Sequence, residues 1–346
     1  RDGGKLGDDD EAEIEEYLGD VVFDEWRPTG SSVGSVSFRP EILSEYIEHL
    51  VRYCCLGIDP ELSVVVDCAN GAASEAAAVV FGRCFKKAAL ISDRPDRNNI
   101  NDGCGVIHME NVASTVLSGG HSLGMALDGD ADRALFVDSR GRIIDGDILL
   151  WVLGRWLLAE GGLGNGVVAT VMSNKALEEK LALEGISLER CSVGDRYVLD
   201  AMKSSGSNLG GEQSGHIIAS DFFPTGDGLG TGLLFLSACR RLGEDIDTLV
   251  ERFGRYPQVL KNFHSHDKDA FLDHSGVQEA ISQACLDLGD LGRVLVRPSG
   301  TEPLVRVLVE ARDDALLKAV SEPLFERIVK ATQDSAVGSL HGGEEF

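Results

Sequence analysis

Leu62-Ser63-Val64-Val65-Val66-Asp67, then Asn70-Gly71, then the small-residue run Ala72 to Phe81, is the stretch on which the fold turns. The apolar run is too short for a helix, is rich in β-branched residues and ends in polar ones, so it predicts a mostly buried strand. Asn-Gly marks a tight turn, and the alanine-rich run behind it predicts a helix. Strand, turn and helix make a βα unit, which points to the α/β class.

Working outward, Leu123 to Leu127 and Ala134 to Val137 predict two more buried strands, with Arg140-Gly141 as a hairpin-like turn and Ile148 to Leu158 as a strongly apolar helix. Residues 160–166 carry four glycines and read as a flexible joint. The pattern then repeats: Val167 to Val171 as a strand, Asn174 to Glu184 and Leu229 to Leu242 as helices. Two related α/β domains follow. The end of the chain changes character. Arg293 to Arg297 and Val305 to Glu310 alternate as two strands around a loop, flanked by helices over 269–286 and 313–330. That predicts a smaller C-terminal α+β domain, with residues 332–346 frayed. At the other end, residues 8–18 predict a short acidic helix and residues 19–40 irregular chain. Pro40 opens a helix with Ile42, Leu43, Tyr46, Ile47 and Leu50 on one face.

The length of 346 residues suggests about two or three domains, and four small ones fit. Asp and Glu number 57 against 32 Lys and Arg, a net charge of −25. That balance disfavours nucleic acid and anionic membranes as partners. No apolar run approaches a membrane span, and the N-terminal residues lack a signal-peptide core. The eight cysteines are scattered without a CxxC pair, which predicts buried thiols in a cytoplasmic protein.

Four constellations carry chemistry. Asp128-Gly129-Asp130-Ala131-Asp132-Arg133 directly follows a buried strand. Three carboxylates packed at this spacing repel one another, and a divalent cation offsets the repulsion; hard oxygen donors suit magnesium. A solvated acidic turn is the alternative. Gly210 to His216 is a glycine-rich turn bearing Glu212, Ser214 and His216, groups able to read vicinal hydroxyls, or else a polar turn with a satisfied histidine. Arg297-Pro298-Ser299-Gly300-Thr301-Glu302-Pro303, with Arg306 beyond it, combines arginines with a hydroxyl-rich loop. Such a loop can cradle a phosphate, the plain alternative being a turn with surface arginines. Val193-Gly194-Asp195-Arg196-Tyr197 is a weaker signal by itself.

Together these runs resemble the α-D-phosphohexomutase family. Asp128 to Arg133 is similar to the family's magnesium loop, Gly211 to His216 to its sugar-binding loop and Arg297 to Pro303 to its phosphate loop. Val193 to Val198 resembles the specificity loop of the branch that handles hexosamine phosphates. Val66 to Ala72 and Asn99 to Gly105 also resemble that branch. The resemblance covers residues 1–331. Ala131 departs from it, since many relatives have glycine there.

The resemblance implies four domains around a central cleft, here a remnant at 1–45, α/β domains at 46–148 and 149–256, and an α+β domain at 257–346. It implies an intramolecular phosphotransferase moving a phosphoryl group between the 6- and 1-positions of glucosamine phosphate through a phosphoserine and a 1,6-bisphosphate, a step feeding UDP-N-acetylglucosamine synthesis. Mg2+ would sit on Asp128, Asp130 and Asp132. Arg133 and His216 would act at the reacting group. Asp195, Arg196, Glu212, Ser214, Arg297, Ser299, Gly300, Thr301 and Arg306 would bind substrate, and glucosamine or glucose 1,6-bisphosphate would activate. The expected partner is a small-molecule hexosamine phosphate, with no nucleic acid and no membrane, for a cytoplasmic monomer or homodimer. Phosphomannomutase or phosphoglucomutase activity is the alternative within the class, and a non-catalytic sugar-phosphate-binding module the alternative outside it. The family's active serine lies in a Ser-His-Asn-Pro run that these residues do not contain, and residues 1–7 resemble the stretch just after it. The expectation is a chain that starts downstream of its serine and is inactive alone.

Overall fold

A computed structural model describes residues 6–19, 27–299 and 302–333. It divides into two compact units, Arg1–Thr170 with Ile186–Leu249 and Val171–Gly185 with Val250–Phe346. The expectations for residues 1–5, residues 20–26 of the irregular stretch, Gly300, Thr301 and the tail from 334 onward lie outside the described residues.

The chain begins with α1 (Asp8–Gly19) and α2 (Glu41–His49), the latter running into a single π-helical turn, Leu50–Cys54. The first sheet is then built from β1 (Ser63–Asp67), α3 (Ser74–Cys84), β2 (Lys87–Ile91), α4 (Met109–Gly119), β3 (Leu123–Leu127), β4 (Ala134–Asp138) and β5 (Ile143–Ile144). Its strand order is β2-β1-β3-β4-β5. β1 is parallel to β2 and β3, whereas β4 and β5 return antiparallel. Val65, Ala126, Leu135 and Val137 pack against Met109, Val112 and Val116 of α4. Asp67, fully buried at the end of β1, is satisfied by the amides of Ala69 and Gly105, which is why a carboxylate is tolerated there.

After α5 (Gly146–Ala159) the pattern recurs with β6 (Val167–Thr170), α6 (Lys175–Leu183), β7 (Leu188–Cys191), α7 (Asp195–Ser205), β8 (Leu209–Gly211), β9 (Ile217–Ala219) and α8 (Gly228–Leu242). The second sheet has the order β7-β6-β8-β9, with β6 parallel to its two neighbours and β9 antiparallel to β8. Apart from β5, this is the first sheet over again, so the repeat seen in the sequence is a repeat of topology. α5 and α8 are buried on almost every side and pack on each other, which accounts for their lack of a polar face.

α9 (Ile246–Phe253) leads to β10 (Gln258–His264), α10 (Lys268–Leu272), α11 (Ser275–Leu288), β11 (Gly292–Pro298), β12 (Leu304–Ala311) and α12 (Asp314–Gln333). The antiparallel order is β10-β12-β11. One face of this sheet, through Phe263, Val305, Val307 and Val309, packs on Val277 and Ala280 of α11 and Leu324 and Ile328 of α12. This α+β arrangement is the one expected for the end of the chain, although the helix expected over 269–286 is broken in two at Asp273-His274, where His274 caps α11.

One expectation is overturned. Cys55 and Cys84 form a disulfide, joining the chain just after the π-helical turn to the last residue of α3. The other six cysteines are free. Scattered spacing says nothing about pairing, because the two sulfurs meet only once both helices have packed; the thiols therefore do not argue for a reducing compartment. Among the described residues no helix is long and apolar enough to cross a membrane.

Candidate functional site

The acidic loop joins β3 to its antiparallel neighbour β4, and the Glu212–His216 turn joins β8 to β9. They hold the same place in the two repeats, and they touch. Arg133 and His216 form an isolated antiparallel bridge, and Ala134 N donates to Gly215 O at 3.1 Å. Gly215 has φ +94°, and any side chain there would strike the Ala134 carbonyl, so only glycine permits this approach. The loop is also held from the β1 side, where Ala72 N donates to Gly129 O at 2.8 Å.

Asp128, Asp130 and Asp132 bring one oxygen each to within 4.8 Å of one another. Asp128 is buried, Asp132 half-buried and Asp130 exposed. Two of the three already have a hydrogen-bond donor beside them. Arg133 Nε donates to Asp128 Oδ2 at 2.6 Å and Arg133 N to Oδ1 at 3.1 Å. His216 Nδ1 lies 3.1 Å from Asp132 Oδ2. A carboxylate only accepts, so Nδ1 carries the hydrogen. Hydrogen bonding from His216 outweighs burial and holds the Asp132 carboxyl down at about 2. Burial pushes Asp128 up, against the pull of Arg133. The Arg133 guanidinium, although burial opposes its charge, is raised by Asp128, Asp132 and Asp130. Three hard oxygen donors so close together fit Mg2+, with water completing its shell.

His216 is 4% exposed. Its Nε2 is buried without a hydrogen-bond partner and lies 3.8 Å from Asp195 Oδ2. Asp195 is the first residue of α7 rather than a loop residue, and Glu212 Oε1 accepts from Gly194 N at 3.0 Å just before it. Ser214 Oγ donates to Glu212 Oε2 at 3.5 Å. Arg196 lies 3.7 Å from Glu11 and over the Tyr197 ring. The structure thus brings Asp128, Asp130, Asp132, Arg133, Asp195, Glu212, Ser214 and His216 together.

Arg297, Ser299 and Arg306 belong to the second compact unit. Arg297 and Arg306 stand directly opposite in the β11–β12 register, an arrangement of like charges that is unfavourable by itself. Arg306 Nη2 pairs with Glu302 at 2.9 Å, but its buried Nε has no hydrogen-bond partner. Arg297 has no ion-pair partner among the described residues. Across the sheet, Asn262 opposite Arg306 also keeps a buried Oδ1 without a partner. Lys268, which the sequence reading passed over, donates to Ser299 O at 2.6 Å. The Gly226–Gly228 turn beneath the acidic loop was missed as well. Its signal was an aspartate just ahead of a long apolar helix, the position of a helix cap.

The model of the phosphoglucomutase/phosphomannomutase alpha/beta/alpha domain III matches residues 145–256, and that of the C-terminal domain matches residues 260–327. Phosphoglucosamine mutase of Renibacterium salmoninarum is 44% identical over 331 residues, covering 95% of this chain and 73% of that protein. Phosphoglucosamine mutase of Deinococcus radiodurans is 43% identical over 333 residues, covering 94% and 72%. Among solved structures, a phosphoglucomutase/phosphomannomutase family protein of Burkholderia thailandensis superposes with a TM-score of 0.77 at 22% identity, over 95% of this chain and 71% of that one. N-acetylphosphoglucosamine mutase of Aspergillus fumigatus, in complex with GlcNAc-6P and magnesium, gives 0.64 at 19% identity, over 84% and 64%. At these identities the structures speak for the fold alone.

Proposed function

Because this chain belongs to the phosphoglucomutase/phosphomannomutase family, we propose that it acts as a phosphoglucosamine mutase, interconverting glucosamine 6-phosphate and glucosamine 1-phosphate. The observation that carries this reading is the joining of the acidic loop to the Glu212–His216 turn at Arg133 and His216, which puts a cation site beside hydroxyl-reading groups. The same reading divides the chain at 1–45, 46–148, 149–256 and 257–346, in a cytoplasmic monomer or homodimer.

In the proposed reaction a phosphoserine gives its phosphoryl group to the 1-hydroxyl, forming the 1,6-bisphosphate; the sugar turns over, and the 6-phosphoryl group returns to the serine. The 346 residues contain no Ser-His-Asn-Pro run, so this reading assigns the phosphoryl carrier to residues outside them. Asp128, Asp130 and Asp132 would hold Mg2+, which would supply positive charge to neutralise that of the moving phosphoryl group. Arg133 contacts that group. His216, hydrogen-bonded to Asp132 through Nδ1, acts beside the reacting group. Glu212 and Ser214 hold sugar hydroxyls, with Asp195 and Arg196 beside them. Arg297 and Arg306, with Ser299, Gly300 and Thr301, hold the phosphate that does not react; a dianion between the facing arginines turns their repulsion into attraction. Such local attraction is needed in a chain of net charge −25 that takes an anionic substrate.

Calorimetric titration with Mg2+ present tests the reading. Glucosamine 6-phosphate is expected to bind more tightly than glucose 6-phosphate, mannose 6-phosphate or free glucosamine. Arg297→Ala should weaken the sugar phosphates by about tenfold or more while sparing free glucosamine. Equal binding of free and phosphorylated sugar would overturn it, and a preference for mannose or glucose phosphate would reassign the substrate.

A further inference from the structure

Gly226-Asp227-Gly228 supports the acidic loop at several points. Gly228 N donates to Ala131 O at 2.8 Å. A side chain on Gly228 would strike the Arg133 carbonyl, and one on Gly226 would strike the imidazole of His216. Both positions are bare because the loop and the histidine fill that space. The turn is a seat for the two groups on which the site depends.

Asp227, in the middle of the seat, is fixed from two sides. Its Oδ1 accepts from Gly230 N at 2.7 Å, capping α8. Tyr46, a half-buried residue of α2, donates its hydroxyl to the same carboxylate, at 3.0 Å from Oδ1 and 2.9 Å from Oδ2. Burial, and after it the charge of Asp227, pushes the Tyr46 phenol up, so it remains a donor. Burial likewise pushes the Asp227 carboxyl up, opposed by the Gly230 amide, by Tyr46 and by His49. Among the described residues neither Tyr46 nor Asp227 hydrogen-bonds to any of the three aspartates.

We propose that Tyr46 and Asp227 are positioning residues for the cation site: the phenol–carboxylate bond locks the Gly226–Gly228 turn on which the acidic loop and His216 rest. The physical need is plain. Three like charges spread apart when nothing holds them, and affinity for a cation depends on their being held close before it arrives. Ala131, at φ 63°, adds a loop conformation that relaxes if its support moves. The proposal rests on reading Asp128, Asp130 and Asp132 as the cation site.

The test is calorimetric titration of the 346-residue chain with MgCl2 in the absence of sugar, comparing wild type, Tyr46→Phe and Asp227→Ser. Val80→Ala, in the fully buried core of α3, is the control for general loosening. Tyr46→Phe and Asp227→Ser are each expected to weaken Mg2+ binding about three- to tenfold, and the double variant no more than the worse single one, since both remove the Tyr46–Asp227 contact. Val80→Ala is expected to lower the melting temperature and leave the Mg2+ dissociation constant within about twofold. If Tyr46→Phe does not fold, Asp227→Ser, which keeps a capping oxygen but is too short to reach Tyr46, decides alone. Wild-type affinity in the foldable pair variants, or an equal loss in Val80→Ala, overturns the proposal. Failure of the wild type itself to bind Mg2+ would instead remove the cation site, and the proposal with it.

Discussion

Ala131 shows how a single residue sets the acidic loop. It takes φ 63°, a left-handed conformation that is disfavoured by about 1–2 kcal/mol for a residue with a Cβ. Glycine would relieve that strain but lose more freedom on folding, worth about 0.4–1 kcal/mol. Ala131→Gly is therefore expected to stabilise the protein by up to about 1 kcal/mol, read from the urea midpoint, with Mg2+ binding unchanged. A drop in stability would mean that Ala131 is packed rather than strained. At this scale the site was half legible. The spacing of Asp128, Asp130 and Asp132 announced a cation loop because like charges so close in sequence need a reason. The partners were hidden: the Asp132–His216 contact spans 84 positions and Tyr46–Asp227 spans 181, and nothing local encodes either.

Among the elements, long apolar segments were read nearly to the residue. β3 spans Leu123–Leu127 as expected, and α5 and α8 extend the expected helices by only a few positions. β8 and β9, of three residues each, were missed, since Leu209-Gly210-Gly211 has neither alternation nor β-branched residues. β10 was missed because Lys261, Asn262 and His264 dilute its pattern. The disulfide belongs to this scale too, because it ties the α2 side of the unit to the end of α3. Closing a loop of 29 residues should contribute about 3.6 kcal/mol by chain entropy. Reduction, or Cys55→Ser with Cys84→Ser, should lower unfolding stability by about that amount. Thiol titration in denaturant without reductant should find six reactive cysteines; finding eight would show that the bond does not form.

For the molecule as a whole, the groups that would hold a cation and a sugar are present, while the family's serine run is not in the sequence. The isolated 346-residue chain is accordingly expected to bind glucosamine 6-phosphate and Mg2+ without converting the sugar to its 1-phosphate, as read by phosphorus NMR over hours. Turnover by this chain alone would mean that another of its residues carries the phosphoryl group. The two repeated sheets make the division of labour intelligible. Each repeat delivers one loop, at the crossing from its third strand to its antiparallel fourth, and the site in the first unit arises where those two loops meet.

By itself the sequence determined the α/β class, the repeated strand–helix units and the α+β end, and it singled out the residues expected to bind a cation, a sugar and a phosphate. It could do so because hydrophobic periodicity, turn residues and closely spaced like charges are local and act through neighbours along the chain. Only the tertiary structure decided that the acidic loop meets His216, that Asp227 and Tyr46 support it, that Cys55 pairs with Cys84 and that Arg297 faces Arg306. Those contacts depend on how sheets and helices pack, and packing is set by the sum of many weak, non-directional burials that no single stretch of sequence records.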